Sequence, residues 1–291
     1  MRTLVVGGTG TVGSQVVRDL LDRSEDVRIL VHSESKVGAL PGRAEWVVGD
    51  LDDSESLARA FDDVDNAFLL TPVTQNETEL GINAVDAAMD SAIEKIVYMS
   101  VAMPEGSKHI PHFRSKLPIE EAIASSGLSY TILRPTNFFQ NDVMVRNAIV
   151  WQGIYPQPIG SKGINRVDVR DIADAAVNAL MDSEHDGKTY NIHGPDVFTG
   201  ESVARTYSRH LDREIRYTGD DLNAWSQMVS GMIPDWLIRD LRIMFEYFQQ
   251  YGFIVSDNGF SPLREVLKHD QRRFEDFAAE VVQVWNAVPS V

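Results

Sequence analysis

The sequence contains no cysteine among its 291 residues. This absence excludes disulfide bonds, thiolate catalysis and zinc sites built on cysteine. No uninterrupted apolar run reaches the roughly 18 residues of a membrane-spanning helix, so we expect no membrane span. Internal repeats, low-complexity tracts and long linkers are also missing, which indicates an ordinary globular chain.

Basic residues are scarce. The chain has 27 Lys and Arg against 43 Asp and Glu, a formal net charge of −16. Such a surface repels nucleic acid phosphates and anionic membranes, so we expect no direct nucleic acid or membrane partner. The start "MRTLVVGG" has one basic residue and an apolar run too short for a secretory signal. We therefore expect a cytoplasmic protein, and we expect no metal site.

Short apolar runs alternate with helical patterns through the first half of the chain. We expect strands at "TLVVGG", "DVRILV", "AEWVVGD", "NAFLLTP", "KIVYMS" and "LSYTILRP", with Ser54 and, further along, Asp171 as helix N-caps. Strands that alternate with helices of 10 to 15 residues predict βαβ units. Right-handed crossovers then place helices on both faces of a doubly wound parallel sheet, the α/β Rossmann type that binds NAD(P).

The alternation loosens beyond residue 150. We predict a nucleotide-binding domain over residues 1–155, with residues 164–195 returning to it. Residues 196–291 are predicted to form a smaller, mainly helical substrate lobe. Its segment from Asp220 to Tyr251 is rich in aromatic and methionine side chains, which favours a pocket for an apolar molecule or an ordinary core.

The motif "VVGGTGTVGSQVV" places Gly7, Gly10 and Gly13 at three-residue intervals between a strand and a helix. One glycine allows a tight turn, the next lets the backbone approach a pyrophosphate, and the third lets helix and strand pack closely. The helix N-terminus adds unpaired N–H groups for the phosphates. The motif therefore predicts a dinucleotide site.

The end of the second strand decides which dinucleotide binds. An NAD site usually has a carboxylate there, holding the ribose 2′-hydroxyl. In "ILVHSESK" the expected position holds His32 and Ser33, and Lys36 follows, which favours the 2′-phosphate of NADP(H). Glu34 leaves NAD(H) open. The ends of the next two strands add Asp50, Leu51, Thr71 and Pro72, since ligands bind outside the carboxyl ends of such strands.

Four segments resemble a known family: "VVGGTGTVGSQVV", "GDLDD", "SKLPIEEAIASSGLSYTILRPTNFFQN" and "VDVRDIADAA". They are similar to the NmrA-like group of atypical short-chain dehydrogenases/reductases. That group includes NADPH-dependent quinone and azo-dye reductases, isoflavone-reductase-like enzymes, and redox-sensing regulators that bind NADP. The resemblance runs over roughly the first two thirds of the chain.

The resemblance implies site residues. The phosphate loop corresponds to Gly7, Thr9, Gly10, Thr11, Val12 and Gly13. His32 stands where an arginine often reads the 2′-phosphate, and Lys116 matches the lysine that contacts the nicotinamide ribose. The loop that closes over the nicotinamide corresponds to Pro135, Thr136, Asn137 and Phe138.

Three side chains are candidates for catalysis. Ser100 ends the fifth strand, where related reductases often carry a catalytic Ser or Thr. Lys116 can hold the cofactor and favour a nearby proton donor. His112 occupies the place where many nicotinamide-dependent reductases carry a tyrosine, and an imidazole titrates near neutrality. Tyr98 lies within the fifth strand and is expected in the core.

These residues favour an NADPH-dependent oxidoreductase that passes a hydride to a small, flat acceptor such as a quinone. Quinone reduction tolerates the missing tyrosine, because the product oxygens can take protons from solvent. The alternative is a non-catalytic NADP(H) sensor that binds a partner protein in one redox state. A sugar-nucleotide epimerase is disfavoured, because that chemistry usually needs the tyrosine.

Overall fold

The computed structural model describes residues 1–33, 35 and 42–287. The strands are β1 (Arg2–Val6), β2 (Asp26–Val31), β3 (Glu45–Val48), β4 (Asn66–Leu69), β5 (Lys95–Met99), β6 (Ser129–Pro135), β7 (Asn137–Phe138), β8 (Ile154–Tyr155), β9 (Ile164–Val167), β10 (Lys188–Ile192), β11 (Val197–Phe198) and β12 (Arg216–Tyr217). The helices are α1 (Gly13–Asp22), α2 (Ser54–Phe61), α3 (Glu77–Met89), α4 (Pro111–Arg114), α5 (Leu117–Ser125), α6 (Asn141–Met144), α7 (Val169–Met181), α8 (Gly200–Leu211), α9 (Leu222–Val229), α10 (Asp235–Tyr251), α11 (Leu263–Leu267) and α12 (Phe274–Ala287).

The central sheet has seven strands in the order β10-β6-β5-β4-β1-β2-β3, and its pairs are all parallel. The chain runs outward from β1 to β3 on one side and from β4 to β10 on the other. The order therefore reverses between β1 and β4, which opens a crevice at the carboxyl ends of these strands. The predicted doubly wound parallel sheet is confirmed.

Apolar side chains bury both faces of this sheet. On one face, α1 and α7 pack over the strands through residues such as Val16, Leu20 and Ile172. On the other face, α2, α3 and α5 contribute Leu57, Leu80 and their neighbours to a second cluster. Helices cover both faces, so the strands are continuous apolar runs without alternation, which made them recognisable in the sequence.

Two predicted helix caps were wrong by a few residues. The N-cap of α2 is Asp53, not Ser54, and its carboxylate accepts from the N–H of Glu55. The N-cap of α7 is Asp168, whose carboxylate accepts from the N–H of Arg170. In both cases an aspartate stands at the last extended residue before the helix, where a side-chain oxygen can reach the free N–H groups.

The C-terminal part is mainly helical, as predicted. A third apolar cluster joins residues of α8, α9, α10 and α12 to the segment between residues 102 and 159. The short helix α11 instead packs on the cluster under α7. The division of the chain at residue 196 stays a prediction. Among the described residues, no helix combines the length and the apolar character needed to cross a bilayer.

Candidate active site

The turn between β1 and α1 leaves no room for a side chain at two of its glycines. A Cβ on Gly13 would lie 2.2 Å from the carbonyl oxygen of Gly7, and Gly7 has a φ of +79°. The amino end of α1 has no side-chain cap, so the N–H groups of its first turn have no side-chain acceptor. A pyrophosphate is the kind of anion that such a turn can approach closely.

A first recess, here called the His32 recess, opens beside this turn with a volume of about 480 Å³. Of the predicted site residues, it is lined by Gly7, His32, Asp50, Leu51, Thr71 and Pro72. His32 Nδ1 lies 3.2 Å from Asp50 Oδ2, so the two exposed side chains form a pair at the ends of β2 and β3. The predicted contact of Lys36, like the alternative at Glu34, lies outside the described residues.

A second recess, here called the Lys116 cavity, has a volume of about 400 Å³. Its predicted lining residues are Thr11, Val12, Thr71, Ser100, His112, Lys116, Pro135, Thr136, Asn137 and Phe138. The two recesses share Leu70 and Thr71, so they lie side by side at the switch point of the sheet; together they are here called the trough. The remaining predicted residues, Thr9, Gly10, Gly13 and Ser33, line neither recess.

The opposite wall of the Lys116 cavity is apolar. Leu241, Met244 and Phe248 come from α10, and Phe253 follows that helix. Phe253 also makes a ladder bridge with Ile164 of β9. The cavity therefore has polar and apolar side chains at the sheet and an apolar wall from the C-terminal part.

Lys116 is buried and paired with a carboxylate that the sequence analysis missed. Its Nζ lies 2.5 Å from Oε1 of Glu77, and Glu77 is fully buried at the start of α3. Thr71 donates to the same oxygen at 2.7 Å, and Ser115 donates to Oε2 at 2.8 Å. A buried ion pair with its remaining lone pairs satisfied holds the ammonium in a fixed position. In the sequence, Glu77 looked like an ordinary acidic residue of a helix first turn.

Two buried hydroxyl groups near this pair have no hydrogen-bond partner among the described residues: Tyr98 Oη and Ser100 Oγ. Burial, reinforced by the charge of Glu77, raises the pKa of Tyr98 well above its usual value, so the phenol stays neutral. Tyr98 is fully buried, as expected, and does not line the cavity. Ser100 does line it, and an unsatisfied buried hydroxyl there suits a polar ligand group.

His112 also has a carboxylate partner. Its Nδ1 lies 2.5 Å from Oδ1 of Asp240, which belongs to α10 and is separated by 128 residues. Both side chains are largely buried, at 14% and 7% exposure. The sequence contained no local signal for this pair.

The loop from Pro135 to Phe138 is held by a buried arginine. Arg166 Nε donates to Asn137 Oδ1 at 3.1 Å, and its Nη2 donates to the carbonyl of Phe138 at 2.9 Å. Arg166 also pairs with Asp142, and both side chains are fully buried. Burial favours the neutral guanidine, but the Asp142 carboxylate outweighs it and raises the pKa of Arg166. The loop is therefore fixed against the cavity.

Two further clusters of charged groups lie apart from the trough. A groove of about 870 Å³ borders α2 and α3, and its lining includes six acidic side chains and none of the predicted site residues. Asp171, Asp174 and His269 have ligand atoms within 4.8 Å of one another. Arg272 pairs with both carboxylates there, so a guanidinium already supplies the positive charge. Neither cluster bears on the site residues predicted from the sequence.

Comparisons with known proteins agree with the fold described above. The model of the NmrA-like family matches residues 1–278. The NAD(P)H azoreductase of Xenophilus azovorans is 31% identical over 232 residues, covering 79% of this chain and 80% of that protein. The structure of an NADPH-dependent quinone oxidoreductase from Escherichia coli, complexed with NADPH, has a TM-score of 0.83 at 20% identity and covers 96% of this chain and 99% of that one. The negative transcriptional regulator NmrA, in complex with NADP, has a TM-score of 0.80 at 19% identity, with 99% and 98% covered.

Proposed function

The chain belongs to the NmrA-like family, as its motifs predicted, and we propose that it is an NADPH-dependent reductase of a flat, apolar acceptor such as a quinone. The observation that carries the proposal is the trough, the two adjoining recesses at the switch point of the sheet. The glycine turn lies beside its His32 recess, and a buried lysine and an apolar wall line its Lys116 cavity. A glycine turn beside a crevice at the switch point is what a dinucleotide on a doubly wound sheet needs.

NADP(H) is the preferred cofactor, and NAD(H) remains compatible with the recess. The fit is supported by the glycine turn, where a Cβ on Gly13 would fill the space next to Gly7. The unsatisfied hydroxyl of Ser100 offers a hydrogen bond at the other end of the trough. The azoreductase relative uses NAD(P)H by name, and both structural neighbours described above were solved with NADPH or NADP.

Each part of the Lys116 cavity would have a separate task. Lys116, fixed by Glu77, would hold the ribose of the cofactor, and the loop of Asn137 and Phe138 would cover its reactive ring. A bound reduced nicotinamide supplies the hydride. The apolar wall of Leu241, Met244 and Phe248 would exclude water and hold the acceptor flat against that ring.

The acceptor is proposed to be apolar and planar because of the cavity's own dimensions and lining. The cavity of about 400 Å³ has to hold the nicotinamide end of the cofactor as well as the acceptor, which favours a small acceptor. Aromatic and methionine side chains adapt well to flat surfaces. A quinone fits this description. Its reduction asks for little beyond hydride positioning, which explains how the site can work without the tyrosine found in many reductases.

A second candidate function is an NADP(H) sensor without turnover. The observation that favours it is the likeness to NmrA, which is described as a negative transcriptional regulator. A sensor would bind the cofactor in the same trough but would leave the acceptor side of the Lys116 cavity unused. The two functions therefore differ in whether the apolar wall matters to any rate.

The test is a turnover assay with purified protein, NADPH or NADH, and a panel of quinones, carbonyls and azo dyes, following the absorbance of reduced nicotinamide. Met244→Trp places a larger side chain in the apolar wall and so narrows the space for the acceptor. We expect a higher KM for the acceptor and an unchanged Kd for NADPH. The matched control is Met228→Trp, since Met228 is 38% exposed on α9. Tight NADPH binding without turnover on any acceptor would reject the reductase and leave the sensor.

A further inference from the structure

Asp240 is a carboxylate in an unexpected place. It is 6% exposed on α10, directly before the cavity-lining residue Leu241. A carboxylate that is buried away from water needs a partner that donates a hydrogen bond to it. Among the described residues that partner is the ring of His112, with Nδ1 at 2.5 Å. The pair therefore connects α4 to α10 beside the apolar wall of the Lys116 cavity.

The carboxylate of Asp240 decides which ring nitrogen of His112 carries the proton when the ring is neutral. An ionised carboxylate only accepts, so the Nδ1 beside Asp240 carries a proton in both the neutral and the charged ring. Nε2 is then the nitrogen that gains and loses a proton. His112 lines the cavity. Its ring is held at Nδ1 by Asp240.

Given the proposed reductase function, we propose that His112 Nε2 donates a proton to the acceptor and that Asp240 is the positioning residue that holds the ring for this step. The substrate class then extends beyond quinones. It includes acceptors whose double bond must take up a proton together with the hydride, such as the N=N bond of an azo compound or a C=O bond.

The step balances in atoms and electrons. The acceptor gains a new bond from one atom of its double bond to the hydride that leaves C4 of the reduced nicotinamide. The π electrons of that double bond move to the second atom, which takes the proton from Nε2. The acceptor is reduced by two electrons, NADPH is oxidised to NADP⁺, and the neutral ring of His112 regains its proton from solvent.

Each of the two basic side chains that line the cavity has its own carboxylate partner. Asp240 from α10 offsets the positive ring directly. Lys116, the other cation lining the cavity, is already offset by Glu77 from α3 at 2.5 Å. Of the two side chains lining the described cavity that can be cationic, Lys116 is thus paired with Glu77 and His112 with Asp240.

The test compares two acceptors that differ in proton demand. An azo dye needs one proton with its first hydride, whereas the cation of a triphenylmethane dye takes a hydride at carbon and needs none. Steady-state rates on both are measured for wild type, His112→Ala and Asp240→Asn. His109→Ala is the matched control, since it is a nearby exposed histidine that also contacts α10, through Tyr247.

A general acid contributes on the order of 10²–10⁴ in rate. We therefore expect His112→Ala to lower the ratio of azo-dye to triphenylmethane-dye turnover by about 100-fold and Asp240→Asn by about 10-fold. Added imidazole is expected to restore azo reduction in His112→Ala. His109→Ala should match wild type on both dyes.

A readout without cofactor checks the positioning directly. In ¹⁵N-histidine NMR of the free protein, the neutral ring of His112 is expected as the Nδ1–H tautomer, assigned by its loss in His112→Ala. If the pair only connects α4 to α10, the variants lower both dye rates equally and imidazole does not restore azo reduction. That result would overturn the proposal. Wild-type turnover on the triphenylmethane dye alone would also overturn it while sparing the reductase. No turnover on any acceptor would overturn both.

Discussion

Lys116 is both a predicted cofactor contact and half of a buried ion pair, so its removal tests two things at once. Lys116→Met leaves the fully buried Glu77 carboxylate with only the hydroxyls of Thr71 and Ser115. Removing one partner of a buried pair costs about 3–5 kcal/mol, and the two hydroxyl donors place this case near the lower end. We expect a loss of about 3 kcal/mol in the free energy of unfolding.

Glu77→Gln is expected to cost a similar amount, because it leaves the Lys116 ammonium buried against a neutral amide. The double variant removes both charges together. We expect it to cost about 3 kcal/mol rather than the sum of about 6, which gives a coupling energy of about 3 kcal/mol between the two side chains.

The assay is urea unfolding at neutral pH, followed by the fluorescence of the five tryptophans. With a slope of about 3 kcal/mol per molar urea, each single variant lowers the midpoint by about 1 M. Lys108→Met, at an exposed lysine nearby, is the control and should stay within about 0.5 kcal/mol of wild type. Additive single losses, or a loss below about 1 kcal/mol for Lys116→Met, would refute the buried pair.

The same variants separate stability from cofactor binding. Lys116→Met and Glu77→Gln are expected to be equally destabilised, but only the first lacks the ammonium. If Lys116 contacts the ribose, NADPH binds about tenfold more weakly to Lys116→Met than to Glu77→Gln, since a hydrogen bond from a charged group contributes about 1.5–3 kcal/mol. Equal Kd values for NADPH in the two variants would show that Lys116 has only a structural role.

Two further predictions concern the glycine turn and a buried histidine. Gly13→Ala places a Cβ 2.2 Å from the oxygen of Gly7, so we expect weakened NADPH binding and an overpacking loss of about 1–3 kcal/mol. The control is Gly42→Ala, where a Cβ would meet no atom of the described residues within 4 Å. Wild-type affinity in Gly13→Ala would contradict the tight turn. Burial lowers the pKa of His185 from 6.5, so the unfolded state binds a proton more readily and stability falls as pH drops below about 6.5. His185→Gln is expected to flatten this fall in urea titrations at pH 7.5 and 5.5, and an unchanged slope would argue against it.

The sheet could be predicted because its information is local. Strands such as β4 and β5 are buried on both faces, so their sequences are short apolar runs that any window reveals. The glycine turn was equally visible, since its requirement falls on three neighbouring positions. The helix caps at Asp53 and Asp168 were missed because capping depends on which residue has extended backbone angles, and several acceptable side chains stood side by side.

The polar partners in the site could not be predicted, because they depend on contacts across long sequence separations. Glu77 meets Lys116 across 39 residues, and Asp240 meets His112 across 128. Glu77 begins a helix, where an acidic residue is common without any functional reason. Asp240 lies within the amphipathic α10, where one more charged residue looks like a solvated face. Burial is what distinguishes both residues, and burial is a property of the assembled fold.

Helix α10 contributes to both proposed parts of the acceptor side of the site. Leu241, Met244 and Asp240 all belong to α10, so the same helix supplies the acceptor wall and the carboxylate that holds His112. The glycine turn and Ser100 lie at the central sheet, and Lys116 lies between α4 and α5. If α10 and His112 act as proposed, substitutions on α10 are expected to change acceptor choice and proton delivery together and to affect NADPH binding less. An Asp240→Leu variant would keep a full apolar wall but lose the proton donor's anchor, and is expected to favour acceptors that need only a hydride.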